Sequence, residues 1–179
     1  MSERTLAVAA RVAELRAAFD RGFEGAPSAG RERLTDLLLI GVGGVPYALR
    51  VHETIALAGD RKIVRVPSPM PGLLGLCGFR GDSVPVFSIA ALLGHAPGST
   101  AWLAMCGPRT APIGLAFDAL EGYASASASQ VHPLAERSCP HLSSTVTLEG
   151  SERAIVDLPS LIALIERREI ELARASQEP

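Results

Sequence analysis

Short apolar runs separated by turn residues recur along most of this 179-residue chain and limit the folds open to it. From about Leu34 onward they read LLLIGV, VPYAL, KIVRV, SVPVFSI, TAWLAM, PIGLAFDAL and RAIVDL. Apolar runs of this length, bounded by glycine and proline, are typical of β-strands. Seven or more at close spacing predict an antiparallel barrel or sandwich. The glycines of GVGG, followed by Pro46, predict a hairpin turn between the first two strands.

A helix is predicted at each end of this β region. Over residues 5–21 the apolar positions recur at spacings of four, three and four, which is the period of one helix face. They are Val8, Val12, Leu15 and Phe19. Residues 22–30 are rich in Gly, Pro and Ser and predict a linker. A second helix is predicted from Asp157 to Ala173, with Asp157 as its N-cap and Pro159 in its first turn.

These patterns divide the chain into three parts. We expect an N-terminal helix and linker over residues 1–30, a β domain over residues 31–173 and a short tail over residues 174–179. Apolar residues make up 47% of the chain, which excludes wholesale disorder.

Charge and hydropathy indicate where such a protein works. The net charge is −2 and the sequence lacks a long basic run, so nucleic acid is not an expected partner. The longest apolar run, Leu37–Val45, is far shorter than the ~20 residues of a membrane span. The N-terminus is charged from residue 3 and lacks the apolar core of a secretory signal. We therefore expect a cytoplasmic protein without direct membrane insertion.

Residues that could carry chemistry are few. Cys77 and Cys106 lie inside apolar runs, where thiols are mostly inert core residues. Cys139 and His141 flank Pro140, but no second pair stands at zinc-ligand spacing. The sequence contains neither a phosphate-binding glycine motif nor a nucleophile elbow. It therefore predicts no metal, no cofactor and no catalytic site.

Three blocks in fixed order carry a family resemblance. The strongest is PGLLGLCGFRGDSVPVFSIAALLG, residues 71–94, preceded by VHET at residues 51–54 and followed by GLAFDAL at residues 114–120. Together they resemble the CheW family of chemotaxis coupling proteins over about residues 34–168. The resemblance implies an all-β core of two intertwined five-stranded β-barrels. It also implies a non-catalytic adaptor that links the cytoplasmic tip of chemoreceptors to the regulatory domain of a CheA-type histidine kinase.

The same resemblance implies a partner-binding site. The residues that match the family's receptor groove are Val51, Glu53, Thr54, Arg80 and Gly81. In the family the equivalents of Glu53 and Arg80 lie close together, which implies an ion pair that either pins two strands or forms the groove. A guanidinium and a carboxylate can form two parallel hydrogen bonds. Glycines at 78 and 81 would let the chain turn tightly on either side of the arginine.

Four positions depart from the family pattern. Gly78 replaces an asparagine, Phe79 a leucine, Ser88 an aspartate and Thr54 an apolar residue of the groove. These departures favour a divergent member whose contact with the kinase is weakened or lost. Two alternatives therefore stand beside the adaptor: an accessory that binds receptor arrays but not CheA, and a small all-β enzyme or ligand-binding barrel.

Overall fold

The computed structural model describes residues 34–96, 98–134 and 140–175. The helix predicted over residues 5–21, its linker and Cys139 lie outside this part of the chain. The first five strands are β1 (Thr35–Val42), β2 (Val45–Arg50), β3 (Thr54–Gly59), β4 (Leu73–Phe79) and β5 (Asp82–Ser88). They are followed by β6 (Trp102–Cys106), β7 (Ile113–Phe117), β8 (Ala119–Ala126), β9 (Val131–Pro133), β10 (Leu142–Leu148) and β11 (Ser151–Val156). The helices are η1 (Val51–Glu53), α1 (Ile89–Leu92), η2 (Ala128–Gln130) and α2 (Leu158–Ala175), of which η1 and η2 are single 3₁₀ turns.

The strands form two sheets, and the strands of the second sheet are inserted in sequence between strands of the first. The first sheet has the order β8-β1-β2-β11-β10-β9 and the second the order β3-β6-β7-β5-β4. The chain leaves the first sheet after β2, builds the whole second sheet and then returns. The predicted all-β core of two intertwined units is thus confirmed, with six strands in the first sheet where five were expected. Two pairs, β2 with β11 and β5 with β7, are parallel, whereas only antiparallel pairing was predicted.

The first sheet must curl, because its two outer strands are neighbours in sequence. In a flat six-stranded sheet β8 and β9 would lie ~24 Å apart. The link from Ala126 to Val131 spans at most ~18 Å when fully extended, and it contains the compact turn η2. A bulge between Leu39 and Ile40, in the pairing of β1 with β8, adds to the curvature.

The link from β3 to β4 connects the two outer strands of the second sheet and forms backbone hydrogen bonds with β4. The Val64 N–H donates to the Leu76 carbonyl at 2.8 Å and the Leu76 N–H donates back at 2.9 Å. The segment after β3 thus bonds to the edge strand β4. Gly75 allows this close approach: its φ is +143°, and a Cβ there would collide with the Val64 carbonyl.

The largest buried apolar cluster lies where the two sheets and α2 meet. Its fully buried members come from all three elements: Ile40 and Leu49 from the first sheet, Phe87, Leu115 and Phe117 from the second, and Leu158 and Leu161 from α2. Each sheet also has a smaller buried cluster of its own. The two barrels therefore cannot separate without exposing the shared cluster to water.

Helix α2 begins where the sequence predicts. The Asp157 carboxylate accepts from the Ser160 N–H at 3.1 Å, so Asp157 is the N-cap. The helix continues to Ala175, two residues beyond the predicted end and into the predicted tail. Within the described residues, no helix is long and apolar enough to cross a membrane.

His141 attaches the end of the preceding loop to the first turn of α2. Its Nδ1 lies 2.9 Å from the Ser160 hydroxyl, and the His141 carbonyl accepts from the Asp157 N–H at 2.9 Å. Burial is the main cause that lowers the His141 pKa below its ordinary value. The charges of Arg168 and Arg167 lower this pKa further, while that of Asp157 opposes them.

We expect Leu161→Ala to destabilise the protein by about 2–5 kcal/mol, because it opens a cavity in the shared cluster. Ile170→Ala, at a position 54% exposed on the same helix, is the control and should change stability little. Urea unfolding of both variants measures the effect. A loss below 1 kcal/mol at Leu161 would mean that α2 does not contribute to the core.

We also expect His141 to make stability depend on pH. Since its folded pKa lies below the ordinary 6.5, the folded state favours neutral imidazole. The stabilisation is complete above pH 6.5 and declines as the pH falls below that value, because the unfolded histidine protonates first. Between pH 7.5 and 5.5, the free energy of unfolding should fall more steeply for the wild type than for His141→Gln. Equal slopes in the two proteins would contradict this expectation.

Candidate functional site

The structure places the five predicted site residues at two locations. Val51, Glu53 and Thr54 lie where the chain crosses from the first sheet to the second, in η1 and at the start of β3. Arg80 and Gly81 form the turn between β4 and β5. Each location has its own network of contacts.

At the crossover, Glu53 is a largely buried carboxylate with two sets of partners. Its Oε1 accepts from Arg50 Nη1 at 3.3 Å, and the two side chains are 12% and 20% exposed respectively. Arg50 also donates through Nη2 to the Ser144 hydroxyl on β10 at 3.0 Å. The Glu53 Oε2 accepts from the Leu158 N–H at 3.4 Å. Because a helix N-terminus carries partial positive charge, this carboxylate stabilises the start of α2.

A buried thiol lies within the electrostatic reach of Glu53. Burial, the larger cause, and the negative charge of Glu53 together raise the pKa of Cys106 to about 12. Burial also raises the pKa of Cys77. Both thiols are free, and they stay protonated at neutral pH. Since only the thiolate is a strong nucleophile, both behave as core residues, as the sequence indicates.

The second location is the tip of a two-residue β-hairpin. Phe79 pairs with Asp82, and the two residues between them have positive φ angles, 53° for Arg80 and 95° for Gly81. This is the conformation of a type I′ turn, which suits the twist of the flanking strands. The exposed Arg80 guanidinium lies 5.1 Å from the centre of the Phe79 ring, within cation–π range. Gly78, which was expected to assist the turn, lies inside β4 instead.

The predicted ion pair between Glu53 and Arg80 is wrong. Glu53 pairs with Arg50, which precedes it by three residues and is brought to it by the 3₁₀ turn. Arg80 lies at the hairpin tip, and among the ion pairs of the described residues none joins it to Glu53 within 4.0 Å. Sequence reasoning missed Arg50, although its spacing from Glu53 is the signal that could have identified it.

A small recess is lined by residues of both the hairpin tip and β3. Its volume is about 40 Å³, and its lining residues are Ile55, Phe79, Arg80, Asp82, Arg109 and Pro112. Ile55 follows Thr54 directly on β3. The hairpin tip and the start of β3 therefore border one surface. A separate recess of about 340 Å³ is lined in part by Val51 and by Leu34, which is 59% exposed.

Two of the departures keep a structural role. The Ser88 hydroxyl accepts from the Ala91 N–H at 3.2 Å and so caps α1, a role that aspartate also performs. The Thr54 hydroxyl donates to the Arg50 carbonyl at 3.4 Å and supports the crossover turn. In the described part of the chain, no group of three or more His, Cys, Asp or Glu side chains is arranged to hold a metal ion.

Comparisons with known proteins agree with this architecture. The CheW-like domain family matches residues 36–166, which is most of the chain. Among solved structures, the chain is similar to the scaffolding protein TtCheW from Thermoanaerobacter tengcongensis, with a TM-score of 0.63 and 13% sequence identity. That similarity covers 69% of this chain and 89% of the other. A search of curated proteins found no match. Since the family match extends from β1 into α2 and takes in both sheets, the chain belongs to the CheW-like domain family.

Proposed function

We propose that this protein is a non-catalytic adaptor of the cytoplasm that couples chemoreceptors to a CheA-type histidine kinase. The observation that carries the proposal is the CheW-like match over residues 36–166. Two further observations support it: both described free thiols are protonated core residues, and the side chains at the divergent positions Ser88 and Thr54 are satisfied by local hydrogen bonds.

An adaptor must hold its two contact surfaces at a fixed distance and orientation. The shared core serves this purpose. The apolar cluster joins both sheets to α2, and Glu53 with Arg50 ties the crossover to α2 and β10. A partner on one sheet is thereby kept in register with a partner on the other. Individually weak contacts then suffice, because an array engages many copies at once.

The receptor contact is proposed to lie around the crossover and the hairpin tip. The residues that form it are Val51, Thr54, Arg80 and Gly81, with Glu53 acting through the fold. The half-buried Val51 offers apolar surface for a helical tip, while the exposed Arg80 offers a charged rim. Apolar grooves with polar rims are a common way to bind helices.

Separate titrations with a receptor cytoplasmic tip and with an isolated CheA regulatory domain test the adaptor function. Binding to both is the expected result. Binding to the receptor alone would identify the accessory that does not engage the kinase. Binding to neither would overturn the adaptor proposal and favour the alternative of a ligand-binding barrel. A standard family member titrated alongside controls for the activity of both partners.

We expect Arg80→Ala to weaken receptor binding about tenfold without changing the thermal midpoint, because Arg80 is exposed. Arg174→Ala removes an exposed charge from the end of α2 and is the matched control. Isothermal calorimetry with the receptor tip measures the affinity. Unchanged affinity for Arg80→Ala would remove this residue from the receptor surface.

Glu53 should behave differently, since its contacts are internal. We expect Glu53→Gln to lower the free energy of unfolding by about 1–3 kcal/mol, because it weakens charge-assisted hydrogen bonds. In double-mutant cycles of stability, Glu53 should couple to Arg50 and not to Arg80. A coupling with Arg80 as large as that with Arg50 would contradict the pairing described above.

A further inference from the structure

The segment between β3 and β4 has one bonded side and one open side. Val64 directs both its N–H and its carbonyl to Leu76 on β4. Along an extended chain, successive residues direct these groups to opposite sides. The backbone groups of Ile63 and Arg65 therefore face away from β4, and they have no hydrogen-bond partner among the described residues. Ile63–Arg65 is thus an open β edge outside the named strands.

Three cationic side chains lie on this open edge or directly before it in sequence. Arg61, Lys62 and Arg65 are all exposed, and within residues 34–96, 98–134 and 140–175 they have no carboxylate within 4.0 Å. Asp60 is the only acidic residue of the segment. Two arginines elsewhere in the described residues are paired at close range: Arg50 with Glu53 at 3.3 Å, and Arg153 with Glu121 at 2.6 Å. This local positive charge stands out in a chain whose net charge is −2.

A recess lies beside these cationic side chains. Its volume is about 240 Å³, and its lining residues are Arg61, Ile63, Arg65, Leu74 and Thr100. Alternation along the extended chain puts Arg61, Ile63 and Arg65 on the same face, consistent with their common place in the lining. The recess therefore combines two unpaired guanidinium groups with apolar side chains and one hydroxyl.

We propose that this edge binds an acidic, extended segment of a partner protein, which adds as a strand beside Ile63–Arg65. The peptide backbone pairs with the open N–H and carbonyl groups, and its carboxylates bind Arg61 and Arg65. Small apolar side chains of the peptide contact Ile63 and Leu74. A second copy of this chain is disfavoured at the same edge, since like charges would meet. The residues involved are distinct from those of the receptor surface, so the two proposals stand independently.

The first test is a fluorescence anisotropy titration with a labelled peptide of alternating Glu and Val. We expect Arg61→Glu combined with Arg65→Glu to reduce affinity about tenfold or more, and added salt to reduce wild-type affinity. Arg167→Glu combined with Arg174→Glu makes the same charge change on exposed positions of α2 and should have little effect. Equal losses in the two double variants would overturn the site, since they would show attraction by net charge alone.

The second test separates strand addition from charge attraction. Amide hydrogen exchange should show the Ile63 and Arg65 N–H groups becoming protected when peptide binds, while the Val64 N–H is protected already. A peptide with the same charges but with alternate backbone nitrogens methylated should bind at least about tenfold more weakly. Equal binding of the methylated peptide, or unchanged exchange at Ile63 and Arg65, would overturn strand addition. Phosphatidylserine vesicles that bind with the same sensitivity to the Arg61 and Arg65 variants would assign the edge to a membrane surface instead.

Discussion

The apolar cluster shared by the two sheets and α2 holds the β region together. Each sheet alone has only a small buried cluster, and both cover their remaining apolar faces with the same residues. Because the chain completes the second sheet before it finishes the first, neither barrel can form its full core independently. The shared apolar cluster therefore both stabilises the fold and fixes the position of one sheet relative to the other.

The arginines show how one side chain serves different purposes according to its partner. Arg50 is largely buried, and it is tolerated there because Glu53 and Ser144 satisfy it. Arg80 extends from a hairpin tip over Phe79, where water still reaches it. Arg61 and Arg65 have no partner within the described residues, which leaves their donors available for another molecule. Burial and pairing, more than sequence position, separate structural arginines from candidate recognition residues.

Much of the fold was predictable because the relevant signals are local. The glycines after β1, the aspartate before α2 and the apolar runs each act within a few residues of their own position. The ion pair was not predictable in this way. Glu53 has two arginines that could satisfy it, and the choice between Arg50 and Arg80 depends on where the β4–β5 hairpin tip lies in space. The parallel pairings of β2 with β11 and of β5 with β7 likewise join strands far apart in sequence.

Contiguous residues were enough to predict the all-β class, the capped C-terminal helix, the buried inert thiols and the family, because strand patterns, caps and motif blocks are local properties of a sequence. Three features became evident from the folded chain: Glu53 joins the crossover to α2, Arg80 is exposed, and the chain after β3 leaves an open cationic edge. Side-chain partners, burial and unpaired backbone groups are set by contacts between segments that are distant in sequence. Local propensity carries no information about those contacts.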